Sequence, residues 1–205
     1  MKTNMTTVFS KALDRCKNNA FSRPAYTVDL AMDDIVGSFL RFLNRNLYRE
    51  IGCEKSPEEY KAGIFERIPP FQRNNDKWTP EMQSAFIRNI LLGMKPSPIL
   101  FYSLNDNNSD CWVLDGLQRI TCIIRFYTDP DMVIQFSEGV ELTSRQILSN
   151  STFEAMLWNL VIPLKVYQFK NEVEAVEHYI EFNDQITHAQ EDIIKAKKYL
   201  MQLIK

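Results

Sequence analysis

Three polar side chains and one glycine follow a short apolar run near the middle of the 205-residue chain. Asp115 and Gly116 come directly after residues 111–114, and Gln118 and Arg119 follow shortly after them. The planar guanidinium of an arginine can bind a phosphate group through two parallel hydrogen bonds. An aspartate such as Asp115 can hold Mg²⁺, a hydroxyl group or a water molecule. These residue types at this spacing favour phosphate chemistry, in which Gln118 would orient the phosphate or the water.

A strand, a tight turn and a helix must position these residues. Cys111–Leu114 predicts a buried strand, Asp115-Gly116 is a turn signal, and apolar residues recur at helical spacing from Leu117. Glycine allows a ligand to approach the backbone closely, and the first turn of a helix offers free N–H groups to an anion. A simpler interpretation is also open, in which Asp115 is an ordinary helix N-cap and Arg119 lies on the surface.

Composition describes an ordinary globular protein of one domain. Apolar residues make up 45% of the chain and charged residues 24%, which is sufficient for a sizeable core. The formal net charge of −2 excludes a polycation, so any contact with nucleic acid needs a local basic patch. The four cysteines form no C-x-x-C pair and only two histidines are present, which argues against zinc and histidine-dependent nuclease chemistry. The sequence lacks a signal peptide and a membrane-spanning segment, so we expect a cytoplasmic protein without membrane contact.

The remaining periodicity predicts an α+β (mixed α/β) fold, a small mixed sheet flanked by helices. Residues 1–60 are predicted to be a helical N-terminal extension, with helices at residues 6–19 and 29–50, and residues 61–205 to be the main domain. The other predicted strands are Ile64–Pro70, Pro98–Leu104, Met132–Phe136 and Val161–Phe169. Because proline cannot donate to a strand ladder, Pro163 predicts that its strand lies at a sheet edge or that the proline comes early in it.

Capping patterns mark four helix beginnings in the main domain. They are Thr79-Pro80, Thr143 with Gln146, Asn171 with Glu174, and Thr187 with Gln190. Gly93 is predicted to end the first of these helices. In the C-terminal helix, Lys195, Lys197 and Lys198 are interpreted as a solvated face.

A second arginine, Arg73, follows Gln72 and a rigid Pro-Pro pair, where side chains are well positioned. Its simpler interpretation is a salt bridge within a loop. Between residues 61 and 95 basic side chains outnumber acidic ones six to three, which favours a modest basic surface. Lys77 and Arg88 on this surface are candidates for DNA contact, and a steep loss of DNA affinity with added salt would support that interpretation.

Three separated segments, in this order, resemble a known family. They are Ile68-Pro69-Pro70-Phe71-Gln72-Arg73 with Trp78 and Pro98-Ile99, then Val113 to Thr121, then Glu181 to Gln185 and the helix after them. The pattern resembles the domain of unknown function 262 family, the N-terminal domain of GmrSD-type modification-dependent restriction enzymes, which is related to the ParB/sulfiredoxin-like superfamily. The resemblance covers about residues 64–200. Leu117 departs from the family's D-G-Q-Q-R pattern, so one polar contact is absent there, and residues 182–185 lack the arginine of F-x-R-I-N.

The resemblance implies a ParB/sulfiredoxin-like domain that binds and hydrolyses a nucleoside triphosphate with Mg²⁺, often coupled to cutting foreign DNA. Its carried-over residues are Asp115, Gln118 and Arg119 for catalysis, Gly116, Arg119, Gln72 and Arg73 for the nucleotide phosphates, and Asp115 for the metal. The partners it implies are a nucleotide, DNA and a separate nuclease subunit. Two alternatives stay open: a non-catalytic nucleotide-sensing or DNA-binding module, and a ParB-like regulator that forms a homodimer on binding nucleotide.

Overall fold

The computed structural model describes residues 24–32, 35, 65–72, 77–104, 111–183 and 190–204. Within these residues the chain forms six strands and six helices. The strands are β1 (Tyr26–Ala31), β2 (Ile99–Ser103), β3 (Cys111–Asp115), β4 (Val133–Ser137), β5 (Val140–Thr143) and β6 (Val161–Gln168). The helices are α1 (Pro80–Leu91), α2 (Leu117–Thr128), α3 (Ser144–Leu148), α4 (Ser151–Leu157), α5 (Glu172–Asn183) and α6 (Gln190–Leu203).

The larger sheet is mixed and has the order β1-β6-β2-β3. β6 runs parallel to β2 and antiparallel to β1, and β2 and β3 form an antiparallel hairpin. Strands β4 and β5 form a separate hairpin beside α1, in which the Gln135 backbone N–H donates to the Ser84 hydroxyl over 2.9 Å. The predicted α+β fold with a small mixed sheet is therefore confirmed.

Helices cover both faces of the larger sheet. Side chains alternate between the two faces along each strand, so each face contributes to its own apolar cluster. Leu164 and Val113 face a large apolar cluster that includes residues from α1 and α2. Tyr167 and Leu114 belong to a second cluster, built with residues from α5 and α6. The sheet is thus the middle layer, and the turn that leaves β3 lies at one of its ends.

Pro163 predicted either that its strand lies at a sheet edge or that the proline comes early in the strand. Strand β6 lies between β1 and β2, so the edge position was wrong and the early position of the proline is confirmed. Pro163 is the third residue of β6 and pairs with Asp29 of β1. The pairing with β2 begins only at Leu164. At Pro163 the strand therefore has a neighbour on one side only, and its missing N–H does not interrupt the ladder with β2.

The partner of β6 comes from the N-terminal region. Asp29 and Leu30, predicted to begin a helix, lie instead in β1. The alternation of side chains along β1 fits the pairing with β6, and this long-range pairing outweighs a local helical pattern. The predicted helix at residues 6–19 and most of the one at 29–50 lie outside the described residues. The domain boundary at residue 60 stays a prediction.

The segment predicted as a strand at Ile64–Pro70 contains no strand in its described part: residue 65 is helical, and residues 66–70 are turns and irregular backbone. One backbone hydrogen bond joins it to β3, from the Val113 N–H to the Arg67 carbonyl over 3.0 Å. Pro69 and Pro70 have no N–H to donate, so the ladder cannot continue. The guanidinium of Arg67 lies 5.5 Å from the centre of the Trp112 ring, which holds the segment against the sheet.

The helix caps predicted at Thr79, Thr143 and Asn171 are confirmed, and the cap predicted at Thr187 lies outside the described residues. The Thr79 hydroxyl accepts from the Met82 N–H, and Thr143 and Gln146 form a reciprocal capping box. The Asn171 side chain accepts from the Glu174 N–H over 3.0 Å. α1 ends at Leu91, and two residues later Gly93 adopts a φ of 84°.

Candidate phosphate-binding site

A β-bulge and a left-handed glycine produce the turn between β3 and α2. Leu100 pairs with Asp115 and Phe101 pairs with Val113, so Leu114 is an extra residue in β3. Such a bulge bends a strand and redirects the side chains that follow it. Gly116 then has a φ of 98° and is the N-cap of α2. The chain therefore turns sharply, and the helix begins beside the first residues of β2.

Gly116 also has too little space around it for a larger residue. A Cβ atom at this position would lie 2.9 Å from Nη2 and 3.1 Å from Nε of Arg119, and 3.2 Å from the Cα of Ile99. Both the positive φ and this close packing require glycine. The guanidinium of Arg119 accordingly lies directly against the backbone of the turn.

Arg119 is held in place by two acceptors. Its Nη2 donates to Asp115 Oδ2 over 2.8 Å and to the Pro98 carbonyl over 3.1 Å. The side chains of Arg119 and Asp115 are only 20% and 16% exposed. The Nε atom is buried and has no acceptor in the part of the chain that the structure describes. The guanidinium is thus fixed in position through one of its three nitrogens.

This geometry replaces the simpler interpretation of the motif. The N-cap of α2 is Gly116, and α2 has no hydrogen bond to a capping side chain among the described residues. Asp115 instead pairs with Arg119, one helical turn further on. The first N–H that donates within the helix is that of Ile120, to the Gly116 carbonyl over 3.0 Å. The beginning of α2, with its partial positive charge, therefore lies beside the guanidinium of Arg119.

Gln118 is buried and links the site to the segment before α1. It is 4% exposed, and its Oε1 accepts from the backbone N–H of Trp78 over 3.2 Å. The Trp78 ring packs against Phe86 of α1, with 5.0 Å between the ring centres. Gln118, predicted to orient a phosphate or a water, thus makes a bond that fixes the position of a neighbouring loop.

Gln72 lies beside the end of β3 and is 2% exposed. Its Nε2 donates to the Leu114 carbonyl over 2.6 Å and to the Val113 carbonyl over 3.2 Å. Lys195 of α6 is exposed, as the sequence predicts for a solvated face, and it also donates to the Gln72 carbonyl and so supports the loop. Gln72 therefore anchors its loop to the end of β3. Arg73, the next residue, lies outside the described residues.

Replacing Gln72 with leucine should lower the free energy of unfolding by about 1–3 kcal/mol, because the bulged carbonyls lose a buried donor. Chemical denaturation of the two proteins measures this difference. Gln135→Leu is the matched control, since the side chain of Gln135 is exposed in β4. A loss for Gln72→Leu no larger than that of the control would contradict the anchoring role.

Two candidates for DNA contact lie outside the turn. Lys77 is exposed and directly precedes Trp78, whose N–H donates to Gln118. Arg88 is half-buried on α1, and its Nη1 donates to the Gln135 carbonyl of β4 over 3.4 Å. The structure therefore brings Lys77 towards the site and directs Arg88 towards the β4–β5 hairpin.

In the described ranges, the site offers one carboxylate, that of Asp115, to a metal ion. Among the described residues no three histidine, cysteine, aspartate or glutamate side chains form a metal-binding cluster. Mg²⁺ is commonly held by one or two carboxylates together with phosphate oxygens and water, so Asp115 fits a site completed by a nucleotide. Burial raises the pKa of Cys122, on the same helix, to about 12, which keeps its thiol protonated and unsuited to nucleophilic attack.

Leu117 explains one departure from the family pattern. It is 1% exposed and belongs to the large apolar cluster, so in this chain the position supports the core.

No sequence signal pointed to the contacts of Trp78 and Lys195, because both join residues distant along the chain. Helical periodicity alone could have placed Leu117 on the buried face of α2.

A family model described as GmrSD restriction endonuclease, N-terminal domain, matches residues 55–204. This range is most of the chain, and it includes the turn at Asp115 and the loop at Gln72. No curated protein and no solved structure matches the chain. None of the helices in the described ranges combines the length and the apolar composition needed to cross a membrane.

Proposed function

The chain belongs to the GmrSD restriction endonuclease N-terminal domain family, and from this premise we propose that it binds a nucleoside triphosphate with Mg²⁺ and hydrolyses it. Membership relates the chain to restriction endonucleases. The site that we assign to the nucleotide is the turn between β3 and α2, with Asp115, Gly116 and Arg119. The nucleotide and the metal are parts of this proposal.

One observation carries the proposal: Arg119 is fixed at the beginning of α2 with donors that bond to no residue in the part of the chain that the structure describes. Its guanidinium bonds through Nη2 alone, and Nε is buried without an acceptor among the described residues. A buried donor without an acceptor is costly, and phosphate oxygens would remove that cost. The partial positive charge at the beginning of α2 acts on the same anion.

Each site residue has an assigned role in the proposed reaction. Arg119 stabilises the charge that develops on the transferred phosphoryl group, because it is held in position before the nucleotide arrives. Asp115 would hold the Mg²⁺ ion, which would neutralise charge on the nucleotide phosphates. Gly116, whose lack of a side chain lets the Arg119 guanidinium lie against the turn, is assigned to the same phosphates. Arg73 follows the anchored Gln72 in sequence and is assigned to the same phosphates, and Gln118 or Asp115 orients the attacking water.

A second candidate function is a nucleotide-sensing or DNA-binding module without turnover. The side chains of Gln72 and Gln118 favour it, because each already makes a structural hydrogen bond next to the turn. Positioning of a water then falls mainly to Asp115, which also pairs with Arg119. Binding without hydrolysis is the outcome that this arrangement would produce.

Phosphate release from ATP, GTP, CTP and UTP in the presence of Mg²⁺, measured beside direct binding, tests the proposal and separates the two functions. Binding with release of phosphate supports the hydrolase, and binding without release supports the sensing module. Absence of both with all four nucleotides, in protein that unfolds cooperatively, would refute the proposed site. Asp115→Asn should reduce Mg²⁺-dependent turnover.

Three further parts of the proposal concern partners. We infer a contact with DNA through Lys77 and Arg88, which predicts DNA affinity that falls steeply with salt. The link to restriction endonucleases favours action beside a separate nuclease subunit, which co-purification would test. A ParB-like clamp would make the chain a homodimer only with nucleotide, and size-exclusion chromatography with and without nucleotide measures that change.

A further inference from the structure

A groove of about 600 Å³ lies at the same end of the larger sheet as the turn. The groove residues that bear on its chemistry are Thr27, Asp29, Lys95, Pro98, Pro163 and Lys165. Two lysines and a threonine give it donors, and prolines form apolar parts of its wall. None of these residues except Pro98 takes part in the turn.

Pro98 connects the groove to the site. It lines the groove, and its carbonyl accepts from Arg119 Nη2 over 3.1 Å. It also directly precedes β2, whose residue Leu100 pairs with Asp115. A ligand that reached Arg119 along the end of the sheet would therefore pass the wall of the groove.

The strand register puts Lys165 in one row with the site. Across the sheet, Thr27 pairs with Lys165, Lys165 with Leu100, and Leu100 with Asp115. Neighbouring strands are about 5 Å apart, so the backbones of Lys165 and Asp115 are separated by about 10 Å. The long side chains of Lys165 and Arg119 can reach towards a common ligand across that distance.

The two lysines of the groove can pair with the anionic groups of a ligand. The ion pairs among the described residues do not include Lys165, which is half-buried. Lys95 pairs with Asp29 over 2.6 Å, but these side chains are 56% and 44% exposed. An ion pair with that exposure contributes little to stability, so an anion can replace Asp29 as the partner of Lys95.

We propose that Lys165 is a second phosphate-binding residue of the nucleotide site and takes a phosphate group other than the one that Arg119 holds. This inference rests on the proposed function, because it assigns Lys165 to the same nucleotide. The ligand class that follows is a polyphosphate, since Lys165 and Asp115 lie on strands whose backbones are about 10 Å apart and a chain of phosphate groups suits that span better than a single phosphate. Lys95, on the wall of the same groove, adds a weaker and more distant charge.

The test compares Lys165→Met, which keeps the length of the side chain and removes its charge, with Lys198→Met. Lys198 is exposed on α6 and does not line the groove. Titrations use a nucleoside triphosphate, the matching monophosphate and inorganic tripolyphosphate, each with Mg²⁺. We expect Lys165→Met to weaken triphosphate and tripolyphosphate binding roughly tenfold, the effect of one charged hydrogen bond, and to leave monophosphate affinity within about twofold of wild type.

The outcomes separate this inference from the proposed function. Unchanged triphosphate affinity in Lys165→Met would overturn the role of Lys165 while the nucleotide site stands, as would an equal loss for triphosphate and monophosphate. A similar loss in Lys198→Met would indicate general electrostatics and overturn it as well. Wild type could bind tripolyphosphate but no nucleotide, and Lys165→Met could lose that binding. This result would support the phosphate-binding role of Lys165 and refute the proposed nucleotide function.

Two controls address the folding of the variant and the choice of polyanion. Thermal unfolding should give Lys165→Met a midpoint within a few degrees of wild type, because the lysine is only half-buried and the ion pairs among the described residues do not include it. DNA binding is measured in parallel, because DNA is the other polyanion that a basic groove binds. A variant that loses DNA affinity and keeps triphosphate affinity would overturn the nucleotide assignment. Wild type that binds neither nucleotide nor tripolyphosphate would refute both proposals.

Discussion

Arg119→Ala should abolish nucleotide binding while the chain remains folded. For wild type, a nucleotide at about 100 times its dissociation constant adds roughly 2.7 kcal/mol to the free energy of unfolding. In a chain of this size that corresponds to a rise in melting temperature on the order of 5–10 °C. The variant lacks the fixed guanidinium and should show no rise with any of ATP, GTP, CTP or UTP. A thermal-shift titration with Mg²⁺ measures both proteins.

Arg125→Ala is the matched control for this experiment. Arg125 lies on the same helix and pairs with Asp129 over 3.0 Å, which is the same i,i+4 arrangement as Arg119 with Asp115. It should retain the nucleotide-dependent rise. Arg119→Lys separates charge from shape, because lysine keeps the charge but lacks the planar fork that binds a phosphate with two hydrogen bonds.

Loss of Arg119 also has a structural cost that must be separated from the loss of binding. Asp115 is 16% exposed and would lose the cation that compensates its burial. We expect a decrease of about 1–3 kcal/mol in the free energy of unfolding without nucleotide. The double variant Asp115→Asn, Arg119→Ala should recover part of that decrease without recovering nucleotide binding. Retained affinity in a folded Arg119→Ala protein would contradict the assigned site.

Gly116→Ala should destabilise the protein more than any of its other described glycine-to-alanine substitutions. The left-handed backbone alone costs an alanine about 1–2 kcal/mol. Its Cβ would also lie 2.9 Å from Arg119 Nη2 and 3.2 Å from the Cα of Ile99. The arginine can move, but the backbone of β2 is fixed by the sheet. We therefore expect a total loss of about 2–4 kcal/mol in the free energy of unfolding, measured by chemical denaturation.

Gly139→Ala isolates the cost of the backbone conformation. Gly139 has a φ of 72°, and a Cβ there would meet nothing within 4 Å. This control should lose only about 1–2 kcal/mol, so the difference between the two variants measures the crowding at Gly116. Gly116→Ala should also weaken nucleotide binding, since it displaces Arg119. Equal losses in the two variants, with nucleotide affinity retained, would show that the turn is not packed as described.

The sequence by itself determined the local parts of the site. The apolar run, the Asp-Gly turn and the helical periodicity after Leu117 are short-range patterns, and the structure has strand, turn and helix at those places. The caps at Thr79 and Thr143 are equally local, because each bond joins residues three apart. Such features depend on backbone preferences and neighbouring side chains, which a sequence states directly.

Only the tertiary structure decided what each site residue contacts. Gln72 and Gln118 form their bonds with residues about 40 positions away in the chain. No local pattern distinguishes a glutamine that orients a ligand from one that anchors a loop. The sequence did not predict strand β1 for a similar reason. Its pairing with β6 depends on residues far along the chain, and this pairing outweighs the local helical pattern. That pairing, and the register it shares with β2 and β3, is what brings Lys165 into one row with Asp115.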